Sequence, residues 1–390
     1  MKIINGTVFC ADGQFHKKDL WIQDGVFQEP FSEKADHSRN ECGESEDVID
    51  AKELLVLPGL VDIHFHGCKG HDFCDGTQEA LQAIADYEAS VGVTSIVPAS
   101  MTLKKENLLS IFHEAAIYPS DHGSRFLGIN MEGPFVAKSK KGAQNASYIH
   151  RPDIDFFLEC QEAANGLIRH VLIAPEIPGA IDFIQKCQKE SILPDSFAPV
   201  VSLGHTACDY ETAMAAFLAG ADHVTHLFNA MNPFSHRAPG LIGAARDASA
   251  YVELICDGIH IHESVIRATF SMFDPDKIVL ISDSMMATGM EDGMYTLGGQ
   301  DVKVTGNRAV LLDGTIAGSA TNLFDCMKNA IRFGIPKEQA ILSATLNPAK
   351  SIGLDDKVGS ITPGKYGDVI LTDRDFNLKS VIIGGHCFTN

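Results

Sequence analysis

Between Leu60 and about Ile352 the chain alternates short apolar runs with longer amphipathic segments, and this alternation constrains its fold more than any other feature. Eight runs recur: Leu60–Phe65, Ser95–Ala99, Phe126–Met131, Val171–Ala174, Ala198–Leu203, His223–Phe228, Tyr251–Cys256 and Lys277–Ser282. Helix-like stretches such as Thr77–Val91, Ile154–Ala164 and Tyr210–Leu218 lie between them. Strands that are apolar along their whole length need cover on both faces, and crossover helices supply it to a parallel sheet. Eight such units predict an α/β fold, a (β/α)8 TIM-like barrel, which takes about 250 residues and more with insertions. No G-x-G-x-x-G follows the first run, which argues against an open dinucleotide-binding sheet.

The flanks have another texture. Lys2–Val8 and Asp19–Phe27 read as short strands broken by Asp12-Gly13 and Asp24-Gly25. Glu33–Glu46 is polar and acidic and reads as a surface loop, followed by the apolar Val48–Val56. Val358–Phe388 returns to strands and turns. Both chain termini together therefore predict one small β-domain, residues 1–57 plus 355–390, with the barrel at 58–354 inserted between them. Near 294–313 the turn pairs Gly298-Gly299 and Gly306-Asn307 predict a β-hairpin insertion, followed by helices over Asn322–Phe333 and Lys337–Leu346.

Six of the eight runs finish in a side chain that can bind metal or move a proton: His64 and His66, Glu132, His205, His226, the Asp257–His260 stretch, and Asp283. In a barrel the carboxyl ends of all strands face one mouth, so residues far apart in sequence converge there. His64 and His66 are two apart and share one face of a strand, where two imidazoles can grip one cation. Packing alone does not explain apolar strands that each accept a polar end. Histidine and carboxylate without cysteine suit Zn²⁺, Fe²⁺ or Mn²⁺. Metal-activated water still needs a proton acceptor, and a leaving amine needs a donor; Asp283 can serve as both. Isolated histidines such as His71, His113, His122, His150, His170 and His262 read as ordinary surface or hydrogen-bonded residues.

Composition narrows the partners. Thirty-one basic against 51 acidic residues give a net charge of −20, which disfavours nucleic acid and anionic membranes. No run approaches the ~18 apolar residues of a membrane span, and the first residues lack a signal-peptide core. The 10 cysteines are spread out, so reduced thiols in a cytoplasmic protein are expected.

Several motifs carry a resemblance: Leu57-Pro58-Gly59-Leu60-Val61-Asp62-Ile63-His64-Phe65-His66-Gly67, Met131-Glu132-Gly133-Pro134-Phe135, Lys141-Gly142-Ala143-Gln144-Asn145, Gly204-His205-Thr206, Thr225-His226-Leu227-Phe228-Asn229-Ala230-Met231, Asp257-Gly258-Ile259-His260 and Ala317-Gly318-Ser319-Ala320. In this order they resemble the amidohydrolase superfamily and, within it, the N-acetylglucosamine-6-phosphate deacetylases. The resemblance implies a barrel plus β-sandwich and a role in amino-sugar catabolism and cell-wall sugar recycling. It implies one or two divalent metals per subunit: a principal ion on Glu132, His205 and His226, and a second on His64 and His66 with Glu132 bridging. It further implies that Asn229, the Ala230 backbone and Arg237 contact the sugar phosphate and that His260 orients the sugar. Gln144 stands where some members carry a substrate-contacting histidine. The resemblance also suggests a homodimer in which the Arg237 loop serves the neighbouring subunit. A cyclic amidase or nucleobase deaminase remains an alternative, as does a non-catalytic scaffold.

Overall fold

The computed structural model describes residues 1–29, 48–189 and 198–388, and the loop expected at Glu33–Glu46 lies outside them. The chain is mixed α/β. Its central feature is a curled parallel sheet whose strands follow chain order. Ile129–Met131, Ile168–Ile173, Val200–Leu203, His223–Val224, Tyr251–Ile255 and Ile278–Ile281 form one six-stranded piece. Leu60–Asp62, Val93–Ile96 and Arg125–Phe126 form a second piece, also parallel. A parallel bridge from Ala99 to Asn130 links the pieces. At the other edge the Asp283 N–H donates to His64 O at 2.9 Å and the His66 N–H to Ser284 O at 2.7 Å.

Helices flank these strands where the amphipathic segments predict them. Gln78–Ser90 starts at Thr77, whose hydroxyl accepts from the Ala80 N–H, and buries Leu81, Ile84, Ala85 and Ala89. Ile154–Ala163 and Tyr210–Ala219 are capped by Asp153 and Asp209. Such caps satisfy backbone donors that a helix start leaves free.

Two runs differ from their expected form. Phe126–Met131 is split at Gly128 (φ 155°), where a Cβ would meet Arg169 Cγ at 2.4 Å and Leu167 O at 2.7 Å. The run His223–Phe228 is a strand only over its first two residues. From Thr225 the chain turns, with left-handed backbone at His226 and Phe228, so Leu227 is buried as part of a loop. The expected hairpin near 294–313 gains a third strand: Gly293–Leu297, Gln300–Thr305 and Arg308–Leu311 form an antiparallel meander.

Strands from both flanks pair with one another. Leu55–Pro58 runs parallel to Thr7–Phe9 and antiparallel to Val369–Thr372. A second sheet joins Val26–Phe27, Leu20–Gln23, Lys2–Ile4 and Val48–Asp50. One apolar cluster, including Ile3, Val8, Ile22, Phe27, Val56, Val369, Leu371 and Ile382, draws side chains from both flanks. Among the described residues no helix is long and apolar enough to cross a membrane, and Cys68, Cys160, Cys208, Cys256 and Cys326 are buried thiols.

Candidate metal centre and cleft

The carboxyl ends of the parallel strands bring His64, His66, Glu132, His205, His226 and Asp283 together. All are at most 7% exposed. They fall into two sets, Glu132 with His205 and His226, and His64 with His66 and Asp283. In the first set Glu132 Oε1 lies 3.1 Å from His205 Nε2 and 3.2 Å from His226 Nε2, and the two nitrogens are 3.1 Å apart. Metal–nitrogen bonds of about 2.0 Å in a tetrahedron separate ligand atoms by about 3.3 Å, so this spacing suits one cation. In the second set His66 Nε2 lies 3.5 Å and His64 Nε2 3.8 Å from Asp283 Oδ1. Glu132 joins the sets: Oε1 is 3.6 Å from His64 Nε2, and Oε2 is 3.3 Å from His66 Nε2.

Hydrogen bonds fix which nitrogen three of the four imidazoles offer. His66 Nδ1 faces Ala99 O at 3.2 Å, His205 Nδ1 faces Lys140 O at 2.8 Å, and His64 Nδ1 faces Glu253 Oε2 at 2.8 Å. Each partner only accepts, so Nδ1 carries the proton and Nε2 turns a lone pair to the centre. His64 Nε2 is buried without a hydrogen-bond partner among the described residues, which fits an atom made to bind a cation. Burial opposes charge on Glu132, but the surrounding imidazoles outweigh it and hold the carboxyl well below the usual carboxylate range. Burial likewise opposes charge on Asp283, and His66, His64 and His226 lower its carboxyl nonetheless.

The backbone at the site is unusual. His205 (φ 45°), His226 (φ 29°), Ala230 (φ 50°) and Asp283 (φ 49°) all occupy the left-handed region that glycine favours. Such strain gathers where a side chain must be aimed rather than where a chain only packs. At Asp283 the conformation is held by its own N–H on His64 O and by the Ser319 N–H on Asp283 O at 2.7 Å.

A cleft of about 280 Å³ opens onto these groups, walled by Gln144, Asn229, Ala230 and His260 and by Met101, Leu297 and Ile316. The strand meander supplies Leu297 and is tied to the opposite wall by Gln300, whose amide donates to Ala143 O. Gln144 lines the cleft, but its amide is engaged: Nε2 donates to Glu132 Oε2 at 2.9 Å and Oε1 accepts from the Thr102 N–H at 2.7 Å. The first of these contacts orients the Glu132 carboxylate. His260 is oriented by Asp257, whose Oδ2 is 2.7 Å from Nδ1. Burial disfavours a charged His260, yet Asp257 and then Asp283 raise it above the ordinary imidazole value. Arg237 is not among the cleft-lining residues; it sits exposed on the turn where Ser235 bridges Ala238.

Several residues at the site escape a reading by run endings. Glu176 accepts from the Thr206 hydroxyl and the Ala207 N–H beside His205, and Glu253 contacts His64. His170, which reads as an ordinary histidine, and His223 are fully buried beside Glu253 and form a third group with it. The signal was an acid inside the apolar run Tyr251–Cys256, which folding cannot bury unpaired.

The architecture and the metal-ligand geometry define a class: the chain belongs to the amidohydrolase family, whose pattern it matches over residues 55–387. It is similar to the N-acetylglucosamine-6-phosphate deacetylase of Bacillus subtilis (strain 168), 36% identical over 88% of this chain and 86% of the relative. It is 32% identical to an N-acetylgalactosamine-6-phosphate deacetylase of Escherichia coli O157:H7, over 87% of this chain and 89% of the relative. Its fold superposes on a mutant N-acetyl-D-glucosamine-6-phosphate deacetylase from Mycobacterium smegmatis in complex with N-acetyl-D-glucosamine-6-phosphate. That match has a TM-score of 0.87 and 28% identity, covering 100% of this chain and 99% of the other.

Proposed function

We propose that this protein is a metal-dependent amide hydrolase that converts N-acetylglucosamine 6-phosphate and water to glucosamine 6-phosphate and acetate. The observation that carries this reading is the convergence of Glu132, His205 and His226 with His64, His66 and Asp283, all but His64 lining one cleft, in a chain whose relatives bear deacetylase names.

Glu132, His205 and His226 would hold the principal divalent ion, and His64 and His66 a second one bridged by Glu132. Zn²⁺, Fe²⁺ and Mn²⁺ all suit imidazole and carboxylate donors. A cation there supplies Lewis acidity and lowers the pKa of water. Asp283 takes a proton from the attacking water as its oxygen bonds to the amide carbon. The C–N bond then breaks with its electron pair on nitrogen, and Asp283 returns the proton to that nitrogen. His260, held by Asp257, orients the sugar together with Gln144. Asn229 and the Ala230 backbone face the phosphate end of the substrate.

Arg237 completes the phosphate site from a neighbouring subunit in a homodimer. Its exposed position outside the cleft supports this, as does half-exposed Phe234 on the same loop. The fold reading is a closed (β/α)8 barrel over 58–354 and a β-sandwich from 1–57 plus 355–390, supported by the strand pairing of the two flanks. The setting is cytoplasmic amino-sugar breakdown and recycling.

Acetate release by metal-loaded protein tests the function. N-acetylglucosamine 6-phosphate should outrun its galacto epimer, unphosphorylated N-acetylglucosamine and a hydantoin. Faster turnover of the galacto epimer would reassign the sugar, and turnover of the hydantoin alone would replace the reaction.

A further inference from the structure

Beneath the cleft lies a polar layer that the reaction does not use. The interior of a barrel of this kind is ordinarily filled by branched apolar side chains. Here Glu253 stands in the middle of the strand Tyr251–Ile255, between Val252 and Leu254, and is fully buried. Its two oxygens do different things. Oε2 accepts from His64 Nδ1 at 2.8 Å and from the His226 backbone N–H at 3.0 Å. Oε1 lies 3.2 Å from His223 Nε2 and 3.8 Å from His170 Nε2. His170 in turn reaches Asn130 Oδ1 through Nδ1 at 2.9 Å, and Asn130 Nδ2 donates to Ile63 O at 3.1 Å.

The consequence for the metal centre follows from donor and acceptor roles. A carboxylate only accepts, so His64 must carry its proton on Nδ1 and present Nε2 to the Glu132 carboxylate, 3.6 Å away. His226 holds a backbone φ of 29°, and its N–H is anchored on the same Glu253 oxygen. One oxygen atom therefore touches a member of each ligand set.

We propose that Glu253 is a positioning residue for both metal sets, fixing the His64 tautomer and the His226 backbone so that both Nε2 atoms converge beside Glu132. This rests on the metal-dependent reading above. The carboxylate is shielded from the cleft, so its effect is on the metal and not on the sugar.

Cobalt binding tests it, with no need for turnover. Metal-free wild type is titrated with Co²⁺, following visible absorption and dissociation constants by chelator competition. Glu253→Gln keeps shape and an accepting oxygen but loses the charge; Glu253→Met keeps volume but has no such oxygen. Lost outer-shell partners weaken metal binding by about 10–100-fold. We expect Gln near the lower end of that range, Met near the upper, and altered cobalt bands in both. A Met variant that melts like wild type and binds Co²⁺ with wild-type affinity and spectrum overturns the proposal, because a packing role would survive it. Should Met fail to fold, Gln decides alone: wild-type affinity overturns, about tenfold weaker binding supports. Absence of Co²⁺ binding by wild type would instead remove the metal reading on which the proposal stands.

Discussion

The apolar cluster of the flanking strands and the mouth of the parallel sheet enclose side chains equally well, but of opposite character. Around Ile22, Phe27, Val56 and Leu371 the enclosed groups are hydrocarbon. At the mouth Asp62, His64, His66, Glu132, His205, His226 and Asp283 are enclosed instead. The backbone differs in the same sense. Left-handed residues in the flanks, Asn5, Asp24, Glu53 and Phe376, lie apart from one another in the sequence; at the mouth His205, His226, Phe228, Ala230 and Asp283 gather around one centre. The contrast shows one region built to fold and another built to aim, with the regular region and the surrounding helices offsetting the strain of the second.

The largest expected effect is at the mouth. His205→Ala should lose metal and turnover together; metal analysis showing full stoichiometry would remove His205 from the ligand set. Asp283→Asn should remain folded and metal-loaded, with kcat at least ~10²-fold lower. A kcat near wild type would take the proton-transfer role from Asp283. Phe27→Ala probes the other region: the loss of a buried aromatic should reduce stability by ~3–5 kcal/mol in urea melts. Turnover per folded molecule should not change, and a large drop would mean that the two regions are not separable.

The smallest effect is a pH dependence at Glu88, which lies fully buried on the inner face of Gln78–Ser90 beside the weakly donating Cys68 thiol. Burial pushes its carboxyl well above the ordinary value, with Asp62 adding to the rise. The unfolded chain releases this proton near pH 4.3 while the folded chain keeps it. Folded wild type therefore loses stability as pH rises from about 4.3 towards the folded-state value. Glu88→Gln lacks that slope, so its advantage in melting temperature should widen from pH 5 to pH 8. A constant difference across that range would show that Glu88 does not titrate in this way.

The centre was legible in the sequence to the extent that Glu132, His205 and Asp283 follow apolar runs, with His64, His66 and His226 within or just after two others. His64 and His66 show their shared face by spacing alone, and Asp283 stands out after Ile278–Ile281. Glu253 and His170 were not legible by that criterion, because they lie inside strands, where a polar residue reads as an interruption. Their partners, His64 and Asn130, are 189 and 40 residues away in sequence. The turn that aims His226 was hidden by Leu227 and Phe228, apolar residues that extend the apparent strand. Arg237 shows the limit in the other direction: a guanidinium suits phosphate, but its place outside the cleft depends on a loop conformation that residue type does not encode.

The pairing of Leu55–Pro58 with Val369–Thr372 has a consequence for biosynthesis. An early strand acquires one of its neighbours only after the whole intervening parallel sheet has been made. At translation rates of about 5–20 residues per second, that wait is on the order of tens of seconds. Until then Val56 and Ile22 lack the cover that Val369 and Ile382 give, and the strand edge stays open to any other chain. Nascent chains stalled before residue 369 would thus be the form most in need of a chaperone, whatever the state of their metal centre.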